Sequence, residues 1–224
     1  MNYGLVIAAG KSKGFSANAD RAFLSLGAKP ILAHSLLAFE SCEDIDGVIL
    51  VVRKERIESA RNLAKIFGCA KVIKVVAGGV LRQISVTRGL EAMPDNAKLI
   101  TVHEASRPGV TAALISETLV AAKRAGAAAA ALKINDPVVT SERGTSLTET
   151  VDAGKHWTLQ SPQSFKIDIL KKAIEQTDQK KSIIDEATAV AQSGEKVRMV
   201  PGSHYNIKIL KPDDVPLMAT LLKL

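Results

Sequence analysis

Residues 48–76 read VILVVRKERIESARNLAKIFGCAKVIKVV. Val48–Val52 is an unbroken apolar run rich in β-branched side chains, the pattern of a strand buried on both faces. Ile57, Ala60, Ala64 and Phe67 then recur at helical spacing, and Gly68 supplies a stop. Val72–Val76 is a second strand and ends at Gly78-Gly79. Strand, helix and strand in succession form the unit from which parallel sheets are built.

The alternation extends in both directions. Upstream, Leu5–Ala9 is an apolar run entering the Gly/Ser/Lys-rich stretch Gly10–Ser16, and Pro30 starts a helical pattern that runs to Phe39. Downstream, Arg82–Met93 reads as a helix and Leu99–His103 as a strand closed by Arg107-Pro108. Thr111–Arg124 is a helix stopped by Gly126, and Ala128–Ile134 is a strand. The Ala-rich stretch Ala125–Ala131 reads as buried packing. Helical patterns return at Ile167–Ile174, Asp185–Ser193 and Pro212–Leu222, with strands at Val197–Val200 and Asn206–Ile209. The expected fold is α/β, a mainly parallel sheet with helices on both faces. Right-handed crossovers put the strand C-termini on one edge, where ligands bind. Gly10–Ser16, Gly78-Gly79 and Glu104–Arg107 all follow strands and should share that crevice.

Asp136–Gln160 breaks the rhythm. It is rich in Thr, Ser and charge, and it reads as an extended excursion, a β-arm. A solvent loop is the plainer account, but the length favours a function or a dimer contact.

The chain has 224 residues, enough for one large α/β domain or two small ones. Apolar residues at 46% and charged residues at 24% exclude wholesale disorder. A formal charge of +7 suits anionic partners. Aromatic residues at 4% argue against a base-stacking platform, so no nucleic-acid partner is expected. Cys42 and Cys69 imply neither a disulfide framework nor a cysteine zinc site. No apolar run reaches the length of a membrane span, and Met1–Gly10 lacks the marks of a secretory leader. A cytoplasmic location, away from the membrane, is the expectation.

Backbone N–H groups in Gly10–Ser16 can cradle a phosphate, and Lys11 and Lys13 add charge. The stretch matches neither a P-loop nor a dinucleotide fingerprint, and an ordinary strand-to-helix turn explains it equally well. At a strand end, Glu104 can hold Mg²⁺ or a ligand hydroxyl, and the Arg107 fork can bind phosphate. A local Glu104–Arg107 ion pair is the alternative, and His103 reads as a packed, hydrogen-bonded histidine. Gly79, Arg82, Gln83 and Ser85 can read a base edge, or can serve as turn and cap. Asp185-Glu186 suits a helix N-terminus, and Asn206 and Lys208 would share one face of a strand.

Taken in order, these segments resemble the 2-C-methyl-D-erythritol 4-phosphate cytidylyltransferase family of the non-mevalonate isoprenoid pathway. The resemblance spans nearly the whole chain. Its anchors begin with Ala8-Ala9-Gly10, Phe23-Leu24, Pro30-Ile31-Leu32-Ala33-His34-Ser35, Gly78-Gly79, and Arg82-Gln83 with Ser85-Val86. They continue through Val102-His103-Glu104-Ala105-Ser106-Arg107-Pro108, Thr150-Val151-Asp152, Ser161-Pro162-Gln163 with Phe165, Asp185-Glu186-Ala187 and Asn206-Ile207-Lys208.

The resemblance implies one Rossmann-like nucleotidyltransferase domain over residues 1–224, and a homodimer whose arm, at about residues 136–160, reaches the partner's site. It implies CTP and a sugar-alcohol phosphate as substrates and Mg²⁺ as cofactor. Ala8, Ala9, Gly10, Lys11, Gly79, Arg82, Ser85 and Ala105 would then lie on the nucleotide, and Glu104, Arg107, Asp136 and Lys155 around the acceptor. Glu104 would also take the metal. Lys13, Arg21 and Lys208 would act in catalysis. Several positions depart from the family pattern: Gly14 stands at the loop Arg, Arg21 at the Lys, Pro137 at the Thr after Asp136, Ala153 at the arm Arg and Ile184 at the Thr before Asp185. Relocated charge accounts for these changes, with Lys13, Arg21 and Lys155 as replacements. A ribitol 5-phosphate enzyme, or a nucleotide-binding relative with weak or no catalysis, is the alternative.

Overall fold

The computed structural model describes residues 1–10, 15, 20–178 and 180–224. Its strands are β1 (Asn2–Ile7), β2 (Ser25–Leu26), β3 (Lys29–Pro30), β4 (Gly47–Val52), β5 (Val72–Ala77), β6 (Leu99–Glu104), β7 (Ala127–Lys133), β8 (Val138–Thr140), β9 (Glu149–Val151), β10 (Trp157–Lys166) and β11 (Arg198–Pro201). Its helices are α1 (Ile31–Glu40), α2 (Ile57–Ile66), α3 (Arg82–Glu91), α4 (Ala112–Ala125), α5 (Ile167–Glu175), α6 (Glu186–Gln192) and α7 (Asp214–Leu221). Among the described residues the central sheet has seven strands in the order β11-β7-β10-β6-β1-β4-β5. All neighbours pair parallel except β10, which runs antiparallel to both β6 and β7.

The period of two along β4 divides the core. Val48, Leu50 and Val52 pack on one face with Leu36 and Phe39 of α1, Ala60 and Leu63 of α2, and Ile115 of α4. Ile49 and Val51 pack on the other with Val86 of α3, Leu170 of α5 and Val190 of α6. The helix ends follow local chemistry. The Thr111 hydroxyl accepts the Leu114 N–H and starts α4, and Gly126, at φ +93°, lets the chain turn back into β7. A side chain on Gly4 of β1 would meet the Phe39 ring at 2.6 Å, so the glycine makes room for the aromatic layer.

Two expectations need correction. Residues 161–166 carried no strand signal, yet they belong to β10, which also absorbs Trp157–Gln160 from the end of the expected arm. This strand buries polar side chains, each satisfied inside the protein. Ser164 Oγ lies 2.8 Å from Thr101 Oγ1 and donates to Thr118 Oγ1 at 2.9 Å, and Gln163 accepts the Ala187 N–H at 2.8 Å. Hydrophobic alternation cannot reveal such a strand. Conversely, Asn206–Ile209 is not a strand. It lies along the turn after β6, where the Ile209 N–H donates to Ser106 C=O at 2.9 Å and the Asn206 N–H turns back to Ser203 C=O at 3.0 Å. The arm itself is a hairpin of β8 and β9, which among the described residues pair with each other alone.

Phe39 is fully buried between α1 and the sheet. Phe39→Ala should lower the unfolding free energy by about 3–5 kcal/mol, read from the midpoint shift in urea titration.

Candidate active site

A crevice of about 1190 Å³ opens at the carboxyl edge of β1, β4, β5 and β6. Ala8, Ala9 and Gly10 leave β1 along its floor, Gly78 and Gly79 follow β5 on one side, and Glu104, Ala105 and Ser106 follow β6 on the other. The glycines are there because the walls touch. A side chain on Gly78 would sit 2.4 Å from the Ala9 methyl and 2.9 Å from Ser85 Oγ. Ser85, on the first turn of α3, accepts the Gly79 N–H at 3.0 Å and fixes the shape of the loop.

Among the described residues the lining carries six cations, Arg21, Arg53, Lys54, Arg82, Arg88 and Lys208, against the carboxylates Glu55 and Glu104. That imbalance favours a polyanionic ligand. Arg21 sits in a single 3-10 turn, Arg21–Phe23. The turn is anchored by buried Asp20, which accepts the Ala22 N–H at 3.3 Å and an Arg53 ion pair at 2.7 Å. Burial pulls the Arg21 pKa down, against opposition from Glu104, Asp20 and Asp214.

Glu104 is the hub. Its Oε1 accepts from Arg82 at 2.6 Å and from Lys208 Nζ at 2.6 Å, and its Oε2 accepts from Arg107 Nε at 3.2 Å. Burial alone would push its pKa up, but the three cations outweigh it and hold the carboxyl well below the usual range. Arg82 is gripped from the other side by Glu186, with Nε on Oε1 and Nη2 on Oε2, each at 2.7 Å. Burial disfavours that charge as well, and the two carboxylates more than compensate, pushing the guanidinium pKa up. Behind them His103 is fully buried. Ser161 Oγ accepts the Glu104 N–H at 3.0 Å and donates to His103 Nδ1 at 3.0 Å, so the other ring nitrogen, Nε2, carries the proton toward Arg107 C=O at 3.2 Å. Burial, then the nearby Arg107, pulls the imidazole pKa down to about 3.

The crevice therefore brings together Ala8, Ala9, Gly10, Arg21, Gly79, Arg82, Ser85, Glu104, Ala105 and Lys208. Lys11, Lys13 and Gly14 lie outside the described residues. Four expectations change. Arg107 does not line the crevice: it lies behind Glu104, donating to Asn206 C=O at 2.9 Å. Arg82 lines the wall with Nε, Nη1 and Nη2 already committed to Glu186 and Glu104, so it braces the site more than it grips a ligand. Asp136 and Lys155 are exposed and stand apart from the crevice, because the self-paired hairpin carries the chain away from the sheet edge. Lys155 pairs with Asp152 of the same arm at 3.7 Å. Glu104 does not fit a metal ion as it stands, since both of its oxygens are held by cations. No group of three or more metal-ligating side chains occurs among the described residues. The sequence reading missed Arg53, Lys54 and Arg88. The first two directly follow the Val48–Val52 run and could have been placed by the same edge argument. Arg88 lies one turn beyond Ser85 on α3.

The family model for 2-C-methyl-D-erythritol 4-phosphate cytidylyltransferase matches residues 3–223. The chain belongs to that family. A cytidylyltransferase of that name from Alkaliphilus oremlandii is 31% identical over 98% of this chain and 94% of its own length. Another, from Bacillus velezensis, is 35% identical over 100% and 97%. The crystal structure of the Thermus thermophilus cytidylyltransferase superposes with a TM-score of 0.80 at 28% identity, covering 98% of both chains. The synthase structure from Anaerococcus prevotii, at 23% identity, shares the fold with a TM-score of 0.85 over 100% and 98%. The segments Ala8–Gly10, Gly78-Gly79 and Glu104–Ser106, which carry the resemblance to this family, are the ones that converge on the crevice here. No helix among the described residues is long and apolar enough to cross a membrane.

The buried charges make stability depend on pH. The His103 pKa is lower folded than unfolded, so its contribution is complete above about pH 6.5 and is lost as pH falls toward 3. Glu104, also lowered, loses its contribution below about pH 4.5. Both act in the same direction. Denaturant titrations from pH 7 to pH 4 should show a steady loss of stability, approaching about 1.4 kcal/mol per pH unit for each proton taken up on unfolding.

Proposed function

We propose that this chain transfers CMP from CTP to 2-C-methyl-D-erythritol 4-phosphate and releases pyrophosphate. The observation that carries the reading is the convergence of Ala8–Gly10, Gly79, Arg21 and Lys208 on one cation-lined crevice, in a chain of this family. An oxygen of the acceptor phosphate attacks the α-phosphorus of CTP. The new P–O bond forms as the bond from the α-phosphorus to the oxygen bridging it to the β-phosphorus breaks, and pyrophosphate leaves with that electron pair. The nucleophile is already anionic, so no general base is required. Negative charge builds on the α-phosphoryl oxygens, and preorganised cations and N–H groups supply the stabilisation. Gly79 and Ser85 suit the cytosine end and Ala8–Gly10 the phosphates. Arg21 and Lys208 offer charge from two sides of the floor.

Mg²⁺ enters this reading as the counterion of the triphosphate, because Glu104 is taken up by its three cations. Asp136 and Lys155 enter through a second copy of the chain, with the β8–β9 hairpin reaching a partner's crevice. A homodimer in the cytoplasm, with no nucleic acid or membrane as partner, completes the proposal.

The decisive assay is pyrophosphate release from CTP with Mg²⁺ and 2-C-methyl-D-erythritol 4-phosphate, with ribitol 5-phosphate in parallel. Release with the first acceptor alone supports the reading, and release only with the second replaces it. Arg21→Ala should lower kcat about 10²-fold or more while leaving the thermal midpoint near wild type. Glu104→Gln should lower turnover yet leave the Mg²⁺ concentration for half-maximal rate unchanged, measured by titrating Mg²⁺ at fixed CTP.

A further inference from the structure

We propose that Glu186 is a positioning residue for the transfer reaction: by holding Arg82 in a two-pronged grip, it leaves Glu104 free to aim Lys208 and Arg107. The proposal rests on the reading above and adds to it a residue from outside the crevice.

Glu186 is fully buried at the start of α6 and does not line the cavity. Both of its oxygens are spent on one guanidinium, at 2.7 Å each. A fork of this kind fixes orientation as well as charge. The third nitrogen, Nη1, then points to Glu104 Oε1, which it shares with Lys208 at an equal 2.6 Å. In this cluster three cations, Arg82, Arg107 and Lys208, face two carboxylates, Glu104 and Glu186. Without Glu186, three cations would compete for one carboxylate, and Arg82, less exposed than Lys208 and freed of its fork, would draw Glu104 away from it.

The placement of Glu186 is itself well secured. Asp185 caps α6 by accepting the Thr188 N–H at 2.8 Å. The segment before it is tied to the first turn of α3: the Gln83 amide donates to Lys181 C=O at 2.7 Å, and the Arg82 N–H donates to Ser182 Oγ at 3.3 Å. A carboxylate at the first helical position also sits favourably in the helix dipole. A residue that only filled space would need neither the fork nor the ties.

The test compares wild type with Glu186→Gln, Glu186→Asp, Arg82→Met and the Glu186→Gln/Arg82→Met double variant. Each is assayed for turnover and for CTP affinity by calorimetry, well below its thermal midpoint. Glu186→Gln adds a net positive charge to the cluster, so a purely electrostatic role would tighten CTP binding and raise or preserve rate. Positioning predicts the opposite split. kcat should fall at least tenfold, with KM for CTP within about threefold, since misplacement of order an ångström costs rate far more than binding. Glu186→Asp keeps the charge but is too short for the grip, and should fold and show the same split. In the Arg82→Met background Glu186→Gln should have little further effect on turnover or on CTP affinity. Wild-type turnover in both Glu186 variants overturns the proposal, as do multiplicative losses in the double variant or failure of both single variants to fold. If wild type binds CTP but releases no pyrophosphate, the function reading fails by itself, and a crystal structure of Glu186→Gln decides the coupling: Lys208 still bonded to Glu104 as in wild type overturns the proposal. A wild type that does not bind CTP overturns both.

Discussion

One buried carboxylate answering to three cations governs the crevice end of this molecule. Glu104 lies at the end of a central strand; Arg107 reaches it from the turn directly after β6, while Arg82 from α3 and Lys208 from the segment before α7 come from distant parts of the chain. Burying so much charge is costly unless every partner is in place. The requirement therefore reaches backward into the fold. The turn needs His103 neutral and bonded to Arg107 C=O, β10 needs Ser161 beneath the Glu104 N–H, and Asn206 must receive the Arg107 guanidinium.

The sheet makes that convergence possible. Parallel strands bring the ends of β1, β4, β5 and β6 to one edge, and glycines allow the loops that follow to meet without side chains between them. On that edge the crevice side chains Ser85, Arg82 and Lys208 are set in advance by contacts within the chain, so little reorganisation is left for a ligand to impose. Such preorganisation is the general source of electrostatic catalysis.

Much of this architecture was legible in the sequence, since apolar runs and helical spacing report burial directly. Val48–Val52 and Leu99–His103 were readable as central strands because both of their faces are covered. The polar strand β10 was not, because Gln163 and Ser164 satisfy themselves against Ala187, Thr101 and Thr118, partners that no local pattern reveals. The opposite error fell on Asn206–Ile209, where alternation reflects a loop with Asn206 and Ile209 buried rather than a ladder. At the crevice, Ala8–Gly10, Gly79 and Glu104 could be placed together because each follows a strand. The roles of Arg82 and Glu186 depend on a 104-residue separation in sequence that closes to 2.7 Å in space, and short motifs carry no such information.

The alanine strand β7 has a consequence for tolerance. Ala127 through Ala131 are all buried, with alternate methyls turned toward the two layers: Ala128 and Ala130 belong to the core of α4, Ala127 and Ala129 to that of α6. Such a strand contributes little apolar surface, and it acts instead as a shim that sets how close the layers lie. Each carbon added to it is a step of about 1.5 Å, whereas a charge-assisted hydrogen bond keeps its strength over only a few tenths of an ångström. Enlarging Ala129 would therefore press on α6, the helix whose first residue is Glu186, and pass a change of thickness to the ion cluster. The least chemically endowed stretch of the chain is thus a mechanical reference for its most highly charged one.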